Sequence, residues 1–345
     1  MSAARPVYID RIGHVSTLGL SALDAAESLL AGRKTLSERK LLNETWPWFA
    51  LPFAEESWID RTRRALGLLA TELATGYPPN SFDDLPFFIG SSAHGTGELE
   101  VTDLALADLS YNDIIILDRE IRHAFGNKTT PWMFSTACTS GLGALEAAVT
   151  LIAQGEIDEA LVLGVEFGCN TILAGFASLG LLARMEEANG LILGEACAGL
   201  RLSAKPGSGW RIGACRLCID GYSPTLPTPD GRVIADNIAA ALCDARLTAH
   251  DIDLVKPHRS GLSAIDEAEN AALDLVFGSG RPPEISIKRQ IGHTLGACGP
   301  AELTALLALL DTPAWRLPHR VLFNFVGFGG STAALITERC PGALA

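Results

Sequence analysis

Four polar residues at glycine-rich junctions have the types for nucleophilic chemistry at a thiol. They are Cys138 in FSTACTSGLGALEA, His258 in VKPHRSG, and Lys288 and His293 in ISIKRQIGHTLGACG. Cys138 follows the β-prone run WMF and a small-residue turn. It precedes a Gly/Leu/Ala alternation that continues through LEAAVTLIAQG, a pattern of strand, tight turn and helix. A thiol there meets helix N–H groups that lack intrahelical partners, and their dipoles favour the thiolate, the nucleophilic form. A small apolar residue packed at a helix start fits the same position. His258 follows the buried run IDLV, at the strand end where open α/β sheets meet ligands. Lys288 and His293 lie five apart, with glycines on either side of the histidine. The glycine loop NFVGFGGSTAAL can bring backbone N–H groups close to a ligand. Singly, each histidine also fits a satisfied core or surface position; with Cys138 they make a candidate Cys–His–His site.

The elements that must position these residues mix buried strands with helices of ordinary length. PVYIDRIGHVST reads as a strand, LSALDAAESLLAG as a helix, and LPFFIGSS as a buried strand entering the turn AHGTG. A helix over 102–109, a strand-like IIIL and a helical DREIRHAFG lead to the Cys138 segment. EALVLGVEFG is a further buried strand, and GLILGEACAGLRLSA reads as paired strands around Gly194 and Gly199. After the break AKPGSGW come the strand RIGACRLCID, the helix RVIADNIAAALCDARL and the strand IDLVKPH. The helices IDEAENAALDLVFG and AELTALLALLD and the strands of RVLFNFVGFGGSTAALITER complete the chain. Two similar α/β layers packed on each other satisfy this order.

Composition narrows the classes. At 345 residues, 48% hydrophobic and 19% charged, the chain can bury a large core in one or two domains. A net charge of −13 argues against nucleic acid or an anionic membrane as partners. No apolar run reaches transmembrane length and the first residues lack a secretory pattern, so a cytoplasmic protein without a membrane span is expected. The eight cysteines form no disulfide framework, consistent with a reducing compartment. The lone CxxC of Cys215 and Cys218 reads as strand core rather than a metal site.

The motifs, in order, resemble those of the elongating β-ketoacyl-acyl carrier protein synthases of the thiolase superfamily. VYIDRIGHVSTLG resembles the opening strand and loop, STACTSG the nucleophile motif, and NGLILGEACAG the glycine-bounded strand pair. VKPHRSG resembles the first histidine segment, KRQIGHTLGACGPAE the lysine–histidine motif, and NFVGFGGSTAAL the closing loop. The resemblance implies a thiolase-like fold: two similar mixed-sheet α/β halves, 1–205 and 206–345, in a layered α-β-α-β-α core. It implies that Cys138 takes an acyl chain from an acyl carrier protein, and that His258 and His293 stabilise the enolate formed as carbon dioxide leaves a malonyl thioester. Lys288 matches the family lysine and Glu269 the glutamate that pairs with it. The amides of Cys138 and Phe328 would form the oxyanion hole, with Phe328 as gate. Such chemistry needs a thiolate and donors aimed at an oxyanion twice, and neither a metal nor a bound cofactor. The substrates arrive on the phosphopantetheine of the carrier protein, and a homodimer or a heterodimer with another ketosynthase-like subunit is implied.

The sequence departs from the family between SSAHGTG and Cys138 and around LLARMEEANG, where it is shorter. Of two threonines that bind the pantetheine arm, Ser260 keeps a hydroxyl and Leu262 does not. Arg259 replaces a glycine, and Val326 an aromatic. Arg61, Arg63 and Arg64 stand where the family places basic docking residues; a solvated helix face is the alternative. A second functional reading is a chain-length-factor-like partner subunit, which usually lacks the cysteine present here. A cysteine hydrolase is a distant third, since nothing resembles the orienting Asn or Asp of such a site.

Overall fold

Strand order shows how the chain repeats itself. The computed structural model describes residues 4–41, 43–100, 113–184, 189–206, 209–315 and 318–340. The first stretch contains β1 (Val7–Ser16), α1 (Ala22–Leu30), the hairpin β2 (Ser37–Leu41) and β3 (Glu44–Phe49), α2 (Trp58–Ala74) and β4 (Phe87–Gly90). Next come a short α3 (Thr96–Leu99), α4 (Asp113–Phe125), β5 (Trp132–Phe134), α5 (Ser140–Gln154), β6 (Glu159–Glu166) and α6 (Asn170–Ser178). Then follow β7 (Leu193–Gly194), β8 (Ala196–Ser203), β9 (Trp210–Ile219), α7 (Arg232–Ala245), β10 (Leu254–Lys256) and α8 (Ser263–Phe277). The chain closes through α9 (Lys288–Ile291), α10 (Cys298–Leu310), β11 (Arg320–Val326) and β12 (Ser331–Arg339).

Hydrogen bonding runs through nine strands in the order β10-β11-β12-β9-β1-β8-β6-β4-β5. On one side β4 and β6 are parallel, β6 and β8 antiparallel, and β8 and β1 antiparallel. On the other, β10 and β11 are parallel, β11 and β12 antiparallel, and β12 and β9 antiparallel. The same pairing thus occurs twice, and among the described residues the two arrays hydrogen-bond to each other where Val7–Ile9 of β1 meets β9.

Side-chain alternation gives each array two apolar faces. Val162 and Leu200, with Phe323, Phe325 and Leu335, enclose the buried helices α5 and α10 in one core. Leu161, Leu163 and Val165 face α2 and α4, while Leu322, Ala334 and Ile336 face α7 and α8. The layers therefore run helix, sheet, helix, sheet, helix, as the thiolase-like expectation requires. Gly90 and Gly141 let the central helix lie against the sheet, since a Cβ on Gly90 would sit 2.2 Å from the Gly141 nitrogen.

Three local expectations are corrected. IIIL is the start of α4, not a strand: Ile116, Leu117 and Ile121 are buried at helical spacing while Ile114 and Ile115 face outward. Gly199 lies inside β8, so the pair is the short β7 followed by one long strand. Cys215 and Cys218 are on a strand, but Cys218 is exposed and free, so only the first half of β9 is core. The helix expected over 102–109 lies outside the described residues.

The central layer carries a pH liability. His14 on β1 is fully buried, its Nδ1 2.9 Å from Thr304 Oγ1 of α10 and its Nε2 2.7 Å from Ser16 Oγ. Burial pushes its pKa down to about 4. The unfolded chain then binds the extra proton below its own value of about 6.5, and stability falls as pH drops from there towards 4, by about 3 kcal/mol in all. Urea midpoints are expected to fall across that window, and His14→Gln to flatten the slope. An unchanged slope in the variant would assign the acid sensitivity elsewhere.

Candidate active site

Cys138 sits on a single 3-10 turn, Ala137–Thr139, just ahead of α5. Ala137 has a left-handed φ of 52°, a strained conformation that stable surroundings must hold. Here Ser140 Oγ accepts from the Thr136 N–H at 3.0 Å and donates to the Ala137 carbonyl at 2.6 Å. The thiol is 4% exposed, in a cluster with Leu173, Leu182, Leu191, Leu193 and Leu295. Leu262 and Phe328 pack against the same cluster.

The closing loop reaches the cysteine because residue 327 is glycine. A Cβ there would lie 3.4 Å from the Cys138 nitrogen and 2.4 Å from Ser331 Oγ. Neither the Cys138 N–H nor the Phe328 N–H has an acceptor among the described residues, so both are available to an oxyanion. Phe328 stacks on Phe176 of α6, ring centres 5.7 Å apart.

The two histidines come from different elements and meet edge to face, ring centres 5.4 Å apart at 79°. His258 follows β10, and its backbone N–H donates to Glu269 Oε1 at 2.5 Å. Burial, then the charges of Lys288, His293 and Lys256, hold its pKa well below the usual histidine range. It is therefore uncharged near neutrality, and its Nδ1 has no partner among the described residues. His293 is fixed by its own backbone, bonded to Ile192 and Gly194 across the β7 segment. Its Nδ1 accepts the Leu295 N–H at 3.1 Å. An Nδ1 that accepts leaves the ring proton on Nε2, making Nε2 a donor.

Several sequence expectations change at this point. Glu269 does not pair with Lys288. It is fully buried and accepts from the backbone N–H groups of His258 and Arg259 and from Asn324 Nδ2 at 2.6 Å. Its place on α8, eleven residues after His258, clamps the strand end instead. The carboxylate against Lys288 Nζ is Glu302 of α10, which also pairs with Lys256 at 2.7 Å. Burial alone would raise the Glu302 pKa, but the two ammonium groups outweigh it and hold it low. Glu302 and Lys256 were missed because a carboxylate inside the apolar run AELTALLALL and a lysine ending IDLV lack a motif of their own. Their signal is that charged residues in otherwise buried segments must be paired.

Ser260 lines a cavity of about 470 Å³ with Arg259, Gly261 and Lys288. Its hydroxyl, however, donates to Asp266 Oδ1 at 3.0 Å and accepts the Leu262 N–H at 3.0 Å. It is thus committed to the loop rather than open to a pantetheine arm. Arg61 is no docking residue: it is 4% exposed, ion-paired with the fully buried Glu195, and bonded to the Gly168 carbonyl at 2.9 Å. Its position on α2 faces inward, where a guanidinium is tolerated only when paired. Arg63 and Arg64 do face solvent, bridged to Glu120 and Glu56.

Comparison with known proteins agrees with this architecture. The family model described as "Beta-ketoacyl synthase, N-terminal domain" matches residues 66–206, and that of the C-terminal domain matches 211–316. The chain is 33% identical over 279 residues to polyketide synthase GfsA of Streptomyces halstedii, covering 66% of this chain and 4% of that protein. It is 30% identical over 212 residues to 3-oxoacyl-[acyl-carrier-protein] synthase 2 of Mycobacterium bovis, covering 55% of this chain and 50% of the relative. The chain thus spans about half the length of that synthase and a small part of the polyketide synthase. Among solved structures, a chain from the complex of a type II polyketide acyl carrier protein with its ketosynthase superposes with a TM-score of 0.84 at 18% identity, covering 98% of this chain and 100% of that one. A chain of the complex of the ketosynthase ApeO with its chain length factor ApeC, from Xenorhabdus doucetiae, gives 0.80 at 21%, covering 97% and 98%. With both domain models matched in chain order over a thiolase-like core, the chain belongs to the beta-ketoacyl synthase family.

Proposed function

We propose that the chain is a β-ketoacyl-acyl carrier protein synthase, joining an acyl thioester to malonyl-acyl carrier protein by decarboxylative Claisen condensation in fatty-acid or polyketide-like synthesis. The observation that carries this reading is a buried thiol at a helix start packed with Leu193 and Leu295, which bridge to and bond His293, with the His293 ring centre 5.4 Å from that of His258. In the first half-reaction Cys138 Sγ attacks the acyl carbonyl. The carrier thiol leaves with the proton that Cys138 gives up, and the N–H groups of Cys138 and Phe328 hold the tetrahedral oxyanion. In the second, the malonyl thioester loses carbon dioxide and its carbonyl becomes an enolate. His293 Nε2–H and the neutral His258 donate to the enolate oxygen. The enolate carbon attacks the acyl-Cys138 carbonyl, and Cys138 leaves as thiolate. Each oxyanion donor is worth about 3–4 kcal/mol of barrier.

The carrier protein is the proposed partner, as in the ketosynthase complex above, and the enzyme needs no bound cofactor because the substrates bring phosphopantetheine. A second ketosynthase-like subunit has a natural place at β5, one of the two edge strands of the sheet, whose Trp132 is 57% exposed. Docking of the acidic carrier is assigned to Arg63 and Arg64 alone. Reversing both charges is expected to raise the apparent KM for the carrier protein about tenfold while sparing a small acyl thioester. An equal effect on both substrates would remove these residues from docking.

A partner subunit akin to a chain length factor is the second reading. It is favoured by the leucine packing around Cys138 and by the loss of both pantetheine hydroxyls, one engaged at Ser260 and one absent at Leu262. The deciding experiment incubates the chain with acyl- and malonyl-carrier proteins, alone and with a partner synthase, and follows acyl-enzyme and extended product by mass spectrometry. Acylated Cys138 and an extended product support catalysis; a thiol that never acylates leaves the subunit reading.

A further inference from the structure

Behind the two histidines lies an unbroken line of buried polar contacts. Lys256 Nζ is 2.7 Å from Glu302 Oε2, and Glu302 Oε1 pairs with Lys288 Nζ. Lys288 Nζ is 3.5 Å from Cys298 Sγ, and Cys298 Sγ is 3.6 Å from His293 Nδ1. Lys256, Glu302 and Cys298 are wholly buried, and Lys288 is 5% exposed. The Lys256 ammonium also lies over the Phe325 ring, 3.5 Å from its centre, a contact that favours a cation.

We propose that Lys256 and Cys298, at the two ends of this buried relay, are positioning residues: Cys298 keeps His293 Nδ1 an acceptor, and the Lys256 charge opposes a proton on His258. The donor sequence along the line has one consistent direction. Lys288 Nζ and Thr294 Oγ1 both donate towards Cys298 Sγ, the latter at 3.6 Å. The S–H is then directed at His293 Nδ1, which already accepts the Leu295 N–H. With two donors pointed at Nδ1, a proton there would face them head-on, so the ring keeps its single proton on Nε2. Two cations share one carboxylate, so Glu302 cannot neutralise both. The surplus positive charge opposes a further proton on His258. The groups facing His258 and His293 are Lys256 from β10, Lys288 from α9, Glu302 and Cys298 from α10, and Glu269 from α8, with Arg259 beside it. Glu269 is engaged by the His258 and Arg259 backbone N–H groups and Asn324 Nδ2, so it does not cancel the surplus at the ring.

This inference rests on the ketosynthase reading for its purpose but not for its test. The full chain, labelled with 13C and 15N at histidine, is titrated by NMR as wild type, Lys256→Met, Cys298→Ala and Cys298→Ser. In the wild type His293 is expected to remain the Nε2–H tautomer and His258 to remain uncharged. Lys256→Met leaves Glu302 paired with Lys288, and the His258 midpoint is expected to rise by about one pH unit. Cys298→Ala is expected to shift the His293 Nδ1 resonance, and Cys298→Ser, which keeps a donor, to restore it. Should Lys256→Met fail to fold, the Cys298 pair still decides. Histidine signals identical in all four proteins would overturn the relay. Shifts as expected together with a Cys138 that never acylates would keep the relay and remove the ketosynthase reading. The reverse pair of results would do the opposite.

Discussion

Replacing Cys138 by alanine is expected to abolish the acyl-enzyme and to lower condensation at least about 10⁴-fold, as when a covalent nucleophile is removed. The size of the loss follows from the arrangement. In the proposed mechanism the thiol alone holds the acyl group, and the amides of Cys138 and Phe328 stabilise an oxyanion that would no longer form. Decarboxylation of malonyl-carrier protein is expected to survive, because His258, His293 and Lys288 reach the site from other elements. Stability is expected to change by less than about 1 kcal/mol, since the variant removes one small atom from a leucine-lined position. Cys138→Ser tests the same point from the other side: it keeps the shape and loses the easily ionised sulfur. Condensation persisting in Cys138→Ala, or an acyl group found on the nearby buried Cys298 instead, would defeat the assignment.

The sequence made the site legible wherever chemistry and local structure share a segment. Cys138 and His293 sit in short glycine-bounded runs whose strand–turn–helix pattern is visible in one dimension. The architecture was legible because strands and helices alternate with clear apolar periods. What was hidden depends on pairing across the fold. Glu269 and Glu302 both lie on helices, and spacing alone does not tell which one meets Lys288; only the packing of α10 against the sheet brings Glu302 there. Arg61 and its neighbours looked alike as a basic run, yet helical rotation buries Arg61 against Glu195 and leaves Arg63 and Arg64 outside. The IIIL run failed for a related reason: four apolar residues fit either period, and the residues after them decide. The β2–β3 hairpin, whose Trp46 and Trp48 belong to the cluster that holds Cys138, carries no motif in the sequence.

Glu302→Leu is expected to be the most destabilising single change at the site. The variant leaves two buried ammonium groups, Lys256 and Lys288, without a counter-charge. Breaking a buried ion pair this way costs about 3–5 kcal/mol. Glu302→Gln keeps an acceptor of the same shape and is expected to lose less, while Lys256→Met combined with Glu302→Leu and Lys288→Met is expected to recover most of the stability because no orphan charge remains. The pH dependence has a fixed sign. The folded Glu302 pKa lies below its unfolded value, so its contribution is fully present above about pH 4.3 and is lost as pH falls through the lowered folded value. Acid unfolding from this group therefore begins as the His14 contribution is nearly exhausted. In urea titrations Glu302→Leu should remove the lower step and leave the one between pH 6.5 and 4. Full stability in Glu302→Leu at pH 7 would mean that the lysines shed their protons on folding and that the carboxylate does not hold their charge. The triple variant separates stability from chemistry: a protein that folds as well as wild type but no longer decarboxylates malonyl-carrier protein would show that the buried charges are kept for the reaction and not for the fold.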